Sequence, residues 1–187
     1  MQIWRLTLLL LVLVCFSSFA WAIKSHFVSN RMSIFMRLTA IFGLVSTGLQ
    51  ILAIFDVEHF DSIRLVGSTL LYAVSLALFW WTVSVTRSRR LSVAFSKDEP
   101  QYLLQAGPYR FVRHPFYTAY SFFWVAGFIA VLRWYLIPAI AVMLASYLCA
   151  ARMEEAKFKS SDLRELYEGY RSNTGMFLPR LRGSRNA

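Results

Sequence analysis

The sequence predicts an all-α, polytopic membrane protein of about five transmembrane helices, closed by a C-terminal interfacial helix. Three observations carry this: mean hydropathy is +0.48 with 57% apolar residues, the apolar residues fall into five long runs, and the cations fall between those runs. A soluble domain of 187 residues does not tolerate that composition. Each span needs about 20 mostly apolar residues, so the helices and their connections use nearly the whole chain. One domain, 1–187, is expected.

The first run, Ile3 to Ile23, is long enough to span, and Trp21 suits a membrane interface. Its end, Ala20-Trp21-Ala22, also mimics a signal-peptidase site, so cleavage is the competing reading. The second run, Ser33 to Phe55, holds Arg37 near its start and Gln50 near its end; the third, Leu65 to Val85, ends in interface aromatics, Phe79-Trp80-Trp81. Polar groups at such depth face a bundle interior or a cavity, although Arg37 can equally snorkel.

A basic stretch from Thr86 to Arg113 follows, and Asp98-Glu99-Pro100 and Gly107-Pro108 exclude a membrane helix there. It is the longest hydrophilic connection, the kind that carries function. The fourth run, Phe116 to Leu132, and the fifth, Trp134 to Ala151, are separated by Arg133 alone and form a tight hairpin. Pro138 lies in a first turn, where its missing donor costs little. Beyond Arg152 the apolar residues Phe158, Leu163, Leu166, Tyr167 and Tyr170 recur at helical spacing among charges, which predicts the interfacial helix. Asp162 and Glu165 read as a capping box that starts it, and the tail after Gly175 reads as frayed.

Five spans put every Lys and Arg except Arg5, Arg64 and Arg133 on one side, out of 20 in the chain. The positive-inside rule makes that side cytoplasmic. The net charge of +10 is thereby explained by topology and anionic headgroups, not by nucleic acid. Cys15 and Cys149 lie in separate apolar runs and read as packing residues, with no disulfide and no metal site. No Gly-x-Gly occurs, which excludes a Rossmann fingerprint and a P-loop.

Two clusters stand out: residues 107–117 before the fourth span and Arg152-Met153-Glu154-Glu155 after the fifth. An out-and-back hairpin returns the second to the membrane face of the first. A basic, aromatic loop and a carboxylate pair then share one mouth, which suits a ligand with an anionic group, a cationic group and an aromatic ring. S-adenosylmethionine has all three.

The pattern Gly107-Pro108-Tyr109, Arg113-His114-Pro115-Phe116-Tyr117, an apolar hairpin, Glu154-Glu155, a Tyr-rich amphipathic helix and a late proline resembles the isoprenylcysteine carboxyl methyltransferase family, itself related to the membrane phospholipid methyltransferases. The resemblance covers about Gln101 to Pro179. It implies an S-adenosylmethionine pocket lined by Gln101, Tyr102, Leu103, Leu104, Tyr109, His114, Pro115, Phe116, Tyr117, Glu154 and Glu155, and a lipophilic methyl acceptor entering from the bilayer. Arg152 and Arg113 are the candidate catalytic cations, Arg152 as the contact for an acceptor carboxylate. The implied place is a bacterial inner membrane or endoplasmic reticulum, with the site facing the cytoplasm.

The departures are Ala119 where a glycine is frequent, Ala150 where an arginine can stand, and Leu163-Arg164 in place of Phe-Gly. They bear on the acceptor more than on the cofactor. The missing Gly-x-Gly tilts the reading toward carboxyl methylation over phospholipid N-methylation. A sterol-reductase-like enzyme using NADPH and a non-catalytic scaffold are the rivals. Each candidate has a plainer reading: His114 as a helix-start residue, the glutamates as a solvated face, Arg110 and Arg113 as topology signals, Tyr109 and Tyr117 as interface aromatics. His59 and His26 read as surface residues of the external and first internal loops.

Overall fold

A computed structural model describes residues 2–26, 34–87 and 102–180. Its helices are α1 (Gln2–Ser25), α2 (Ile34–Phe55), α3 (Ser62–Thr86), α4 (Pro115–Val131), α5 (Ile137–Lys159) and α6 (Arg164–Asn173), with 3-10 turns at Gly107–Arg110 and Trp134–Leu136. α1, α2, α3 and α5 with its leading turn are long and apolar enough to cross a membrane, and α4 is a shorter apolar helix of 17 residues. The described residues contain no strand beyond one isolated bridge, so the all-α membrane class is what folds.

The helices run alternately up and down. At one end Arg133 donates to the Asp56 carbonyl at 2.8 Å and pairs with its carboxylate at 2.8 Å, while Arg5 donates to the Val57 carbonyl at 2.7 Å. Asp61 caps α3 by accepting from the Arg64 amide. The α2–α3 turn is thus tied to the start of α1 and to the α4–α5 turn. That last turn closes through Leu132, whose left-handed backbone (φ 47°) directs its amide to the Phe128 carbonyl.

Between the ends, α3 lies along α4, with α1 and α2 against them. The core is formed by Leu8, Val12 and Cys15 of α1, Tyr72 of α3 and Phe123 and Trp124 of α4, while long apolar side chains such as Leu38, Ile41 and Leu70 face outward. That inversion is what a lipid solvent permits, since outward leucines cost nothing there. Gln50 is buried in the bundle and Arg37 is exposed at the start of α2.

Several expectations are corrected. α5 runs through Arg152–Glu155 to Lys159, so the second cluster lies on the last two turns of the helix, not after it. The residues Ala150–Lys159 are mostly good helix formers with no Gly or Pro to stop them. Asp162 is not a cap: α6 starts at Leu163 without a side-chain cap, and the Ser161 hydroxyl instead accepts from the Leu163 amide. Residues 175–177 are not frayed but packed on the start of α4. His26 is buried and hydrogen-bonded to the Thr86 hydroxyl at 2.7 Å, and Cys149 is exposed instead of packed. His59 is at the surface as expected.

Candidate functional site

Gly107 starts the site. Its φ of +56° and the 2.5 Å separation between any added Cβ and Val85 let the chain turn hard against the end of α3, where only glycine fits. Pro108 and Tyr109 are then buried in the 3-10 turn. The Tyr109 carbonyl accepts from the Tyr170 hydroxyl at 2.6 Å, which ties the turn to α6.

Pro115 occupies the first position of α4, where a missing donor is harmless, and leaves His114 at the helix N-terminus. The Arg113 amide donates to Gly175 at 2.8 Å and the His114 amide to Met176 at 3.1 Å, while the Thr118 hydroxyl donates to Phe177 at 3.0 Å. Residues 175–177 are therefore a strap across the start of α4. Gly175 has no room for a side chain, since a Cβ would lie 1.8 Å from the Leu178 carbonyl oxygen.

The paired glutamates arrive from α5 with different environments. The Glu155 side chain is 7% exposed; its Oε1 accepts from Arg113 Nε at 2.9 Å and from His114 Nε2 at 3.2 Å. Arg113 also donates to the Arg171 and Thr174 carbonyls, so its guanidinium is consumed by α5, α6 and the strap. The Glu154 side chain remains 31% exposed; its Oε1 accepts from the Tyr117 hydroxyl at 2.7 Å, and its Oε2 lies 3.3 Å from His114 Nδ1.

His114 thus has a carboxylate at each ring nitrogen, an arrangement that only the doubly protonated imidazolium satisfies on both sides. Burial opposes that cation, but the hydrogen bonds it donates to Glu154 and then Glu155 outweigh it, so its pKa stands above the ordinary value. Burial, reinforced by Glu154, keeps the Tyr109 phenol protonated.

Of the residues singled out from sequence, the fold brings His114, Tyr117, Glu154, Glu155 and Arg113 into direct contact. Pro115 is buried behind them, and Tyr102, Leu103 and Leu104 are half-buried in the segment leading to the turn. Phe116 points away, into the bundle, with its ring 5.7 Å from Phe79 and 5.9 Å from His26. Arg152 is exposed on α5. Gln101 lies outside the described residues.

Sequence reasoning missed two groups. Tyr147 stacks on Tyr117 at 5.7 Å and 11° and accepts from Trp124 Nε1 at 3.0 Å, extending the site into the bundle. The seven-residue steps from Tyr117 to Trp124 and from Glu154 back to Tyr147 were the available signal, because they put each pair on one helix face. The strap and Tyr170 carry no comparable signal.

No curated protein matches the chain. The phospholipid methyltransferase family profile matches residues 63–165, which is more than half of the 187 residues and includes both site clusters. It is the relative of the family that the motifs resembled. An α4–α5 hairpin that joins a His114 loop to Glu154 and Glu155, within a matched span running from α3 to the start of α6, leads to one assignment: the chain belongs to the phospholipid methyltransferase family.

Proposed function

We propose that the protein transfers a methyl group from S-adenosylmethionine to a lipophilic acceptor carried in the bilayer, at the cytoplasmic face. The observation that supports this is the division of labour between the glutamates: Glu155 is neutralised by buried cations, while Glu154 stays accessible beside Tyr117 and His114. An accessible carboxylate held by a phenol and an imidazolium fits the ammonium or ribose hydroxyls of the cofactor, and the Tyr117 ring beside it fits the adenine. Tyr102, Leu103 and Leu104, half-buried in the segment leading to the turn, are what the family resemblance adds to the pocket.

The cofactor supplies an already activated methyl: as an acceptor oxygen or nitrogen forms its bond to the methyl carbon, the carbon–sulfur bond breaks and its electron pair returns to sulfur. The protein's task is positioning and exclusion of water. Arg113, fully engaged, acts as a positioning residue. Arg152, exposed on α5, is the cation for an acceptor carboxylate. The absence of Gly-x-Gly favours a carboxylate acceptor, as in isoprenylcysteine O-methylation; the matched family favours a phospholipid amine as the second reading.

Calorimetry with S-adenosylhomocysteine on detergent-purified protein tests the core of this. Wild type binds and Glu154→Ala loses most of the affinity; no binding by wild type overturns the reading. Labelled methyl transfer into a lipid extract then separates the acceptors: a carboxyl methyl ester releases label as methanol in base, and a methylated amine retains it.

A further inference from the structure

Tyr117 and Glu154 meet across the α4–α5 hairpin, and a second contact lies one level deeper. The Tyr117 hydroxyl donates to Glu154 Oε1 at 2.7 Å, and Trp124 Nε1 donates to the Tyr147 hydroxyl at 3.0 Å. Trp124 follows Tyr117 by seven residues on α4, and Tyr147 precedes Glu154 by seven on α5, so each pair shares a helix face. The two bonds are rungs about 10 Å apart by helix rise. The Tyr117 and Tyr147 rings join them, parallel within 11° and with centroids 5.7 Å apart.

α4 alone does not aim the Tyr117 hydroxyl. A helical tyrosine has two usable χ1 wells, near 180° and −60°, and they put the hydroxyl in different places. What selects between them is the company of the ring: His114 lies 5.8 Å from it, Tyr147 5.7 Å and Tyr120 6.3 Å. His114 and Tyr120 belong to the start of α4 itself, so of these three Tyr147 alone comes from the opposite helix.

Tyr147 is in turn fixed. A buried indole N–H needs an acceptor where no water reaches it, and Trp124, 4% exposed, takes the Tyr147 hydroxyl. One face of α5 thus carries both the carboxylate that receives the Tyr117 bond and the ring that aims it.

We propose that Tyr147, anchored by Trp124, is a positioning residue that acts through Tyr117 to hold Glu154 in its working orientation. The proposal rests on the transferase reading for what Glu154 binds, but the aiming itself is tested without a cofactor. Full-length protein in detergent is treated with a hydrophobic carbodiimide, and modification of Glu154 is followed by mass spectrometry against the exposed Asp162 in the same digest. A carboxylate oxygen that accepts from Tyr117 is occupied, so Glu154 reacts faster once Tyr117 is misaimed.

Tyr117→Phe and Tyr147→Leu each speed the reaction about tenfold relative to Asp162, the weight of one hydrogen bond to a charged group. Tyr147→Phe and Trp124→Phe keep the stacked ring and lose only its anchor, and each gives about threefold. The increments from Tyr147 and Trp124 vanish in a Tyr117→Phe background, because they act through that hydroxyl. If Tyr147→Leu does not fold, the two milder variants carry the same comparison.

Glu154 reactivity indifferent to these variants overturns the proposal, since Tyr147 is then packing alone. Increments that persist after Tyr117 has lost its hydroxyl overturn it too, as a general loosening of the hairpin. Wild type that fails to bind S-adenosylhomocysteine while the labelling order holds sinks the transferase reading and keeps the aiming. Binding with labelling indifferent to Tyr147 does the reverse.

Discussion

At the scale of single residues, Glu154 and Glu155 are neighbours with opposite work. Truncating Glu155 strands the Arg113 guanidinium, whose side chain is 8% exposed, without its carboxylate and leaves His114 with Glu154 alone. Breaking a buried pair from one side costs about 3–5 kcal/mol, so Glu155→Ala markedly lowers the thermal midpoint in detergent. Glu154→Ala removes an acceptor from Tyr117 and from His114 but strands no buried guanidinium, so it lowers that midpoint less while losing most of the cofactor-analogue binding. A larger stability loss from Glu154→Ala than from Glu155→Ala contradicts this division.

His114 adds a pH dependence. Its pKa is higher folded than unfolded, so its pairing with the glutamates stabilises fully below the unfolded value, about 6.5, and fades as pH rises through the elevated folded value. His114→Gln therefore destabilises most under acidic to neutral conditions, and the gap from wild type narrows in alkali. Thermal melts of both proteins across pH check this; a gap that widens with pH rules out the charged imidazole.

At the scale of elements, the site depends on three pieces converging on the start of α4: the 3-10 turn, the end of α5, and the strap after α6. α4 spans about 26 Å by helix rise, short of the roughly 30 Å hydrocarbon core, so its N-terminus lies near the boundary. α5, with 23 residues, overshoots and carries Glu154 and Glu155 to that level before ending in Lys157 and Lys159. The strap keeps its turn only with glycine at 175. Gly175→Ala frees it, exposing the C-terminal segment to limited proteolysis and weakening S-adenosylhomocysteine binding, while α1–α5 remain folded by circular dichroism. Unchanged proteolysis argues that the strap is held by something other than its backbone bonds.

At the scale of the whole molecule, the proposed orientation puts the site inside. With Cys149 replaced by serine, Glu58→Cys reacts with an impermeant maleimide in intact cells, and Asp162→Cys reacts only after permeabilisation. The reverse pattern overturns the topology.

The sequence by itself determined the class, the order of the apolar helices, the hairpin and the pairing of the two clusters. Hydropathy over about 20 residues and a two-helix return are local properties, legible along the chain. Only tertiary structure decided that Glu155 is sealed while Glu154 is open, that Arg113 serves the scaffold, that Phe116 turns into the core, that His26 is buried, and that the tail straps α4. Those outcomes depend on which face of one helix meets another and on hydrogen bonds between residues about 40 to 60 apart, and neither is recorded in the periodicity of any single segment.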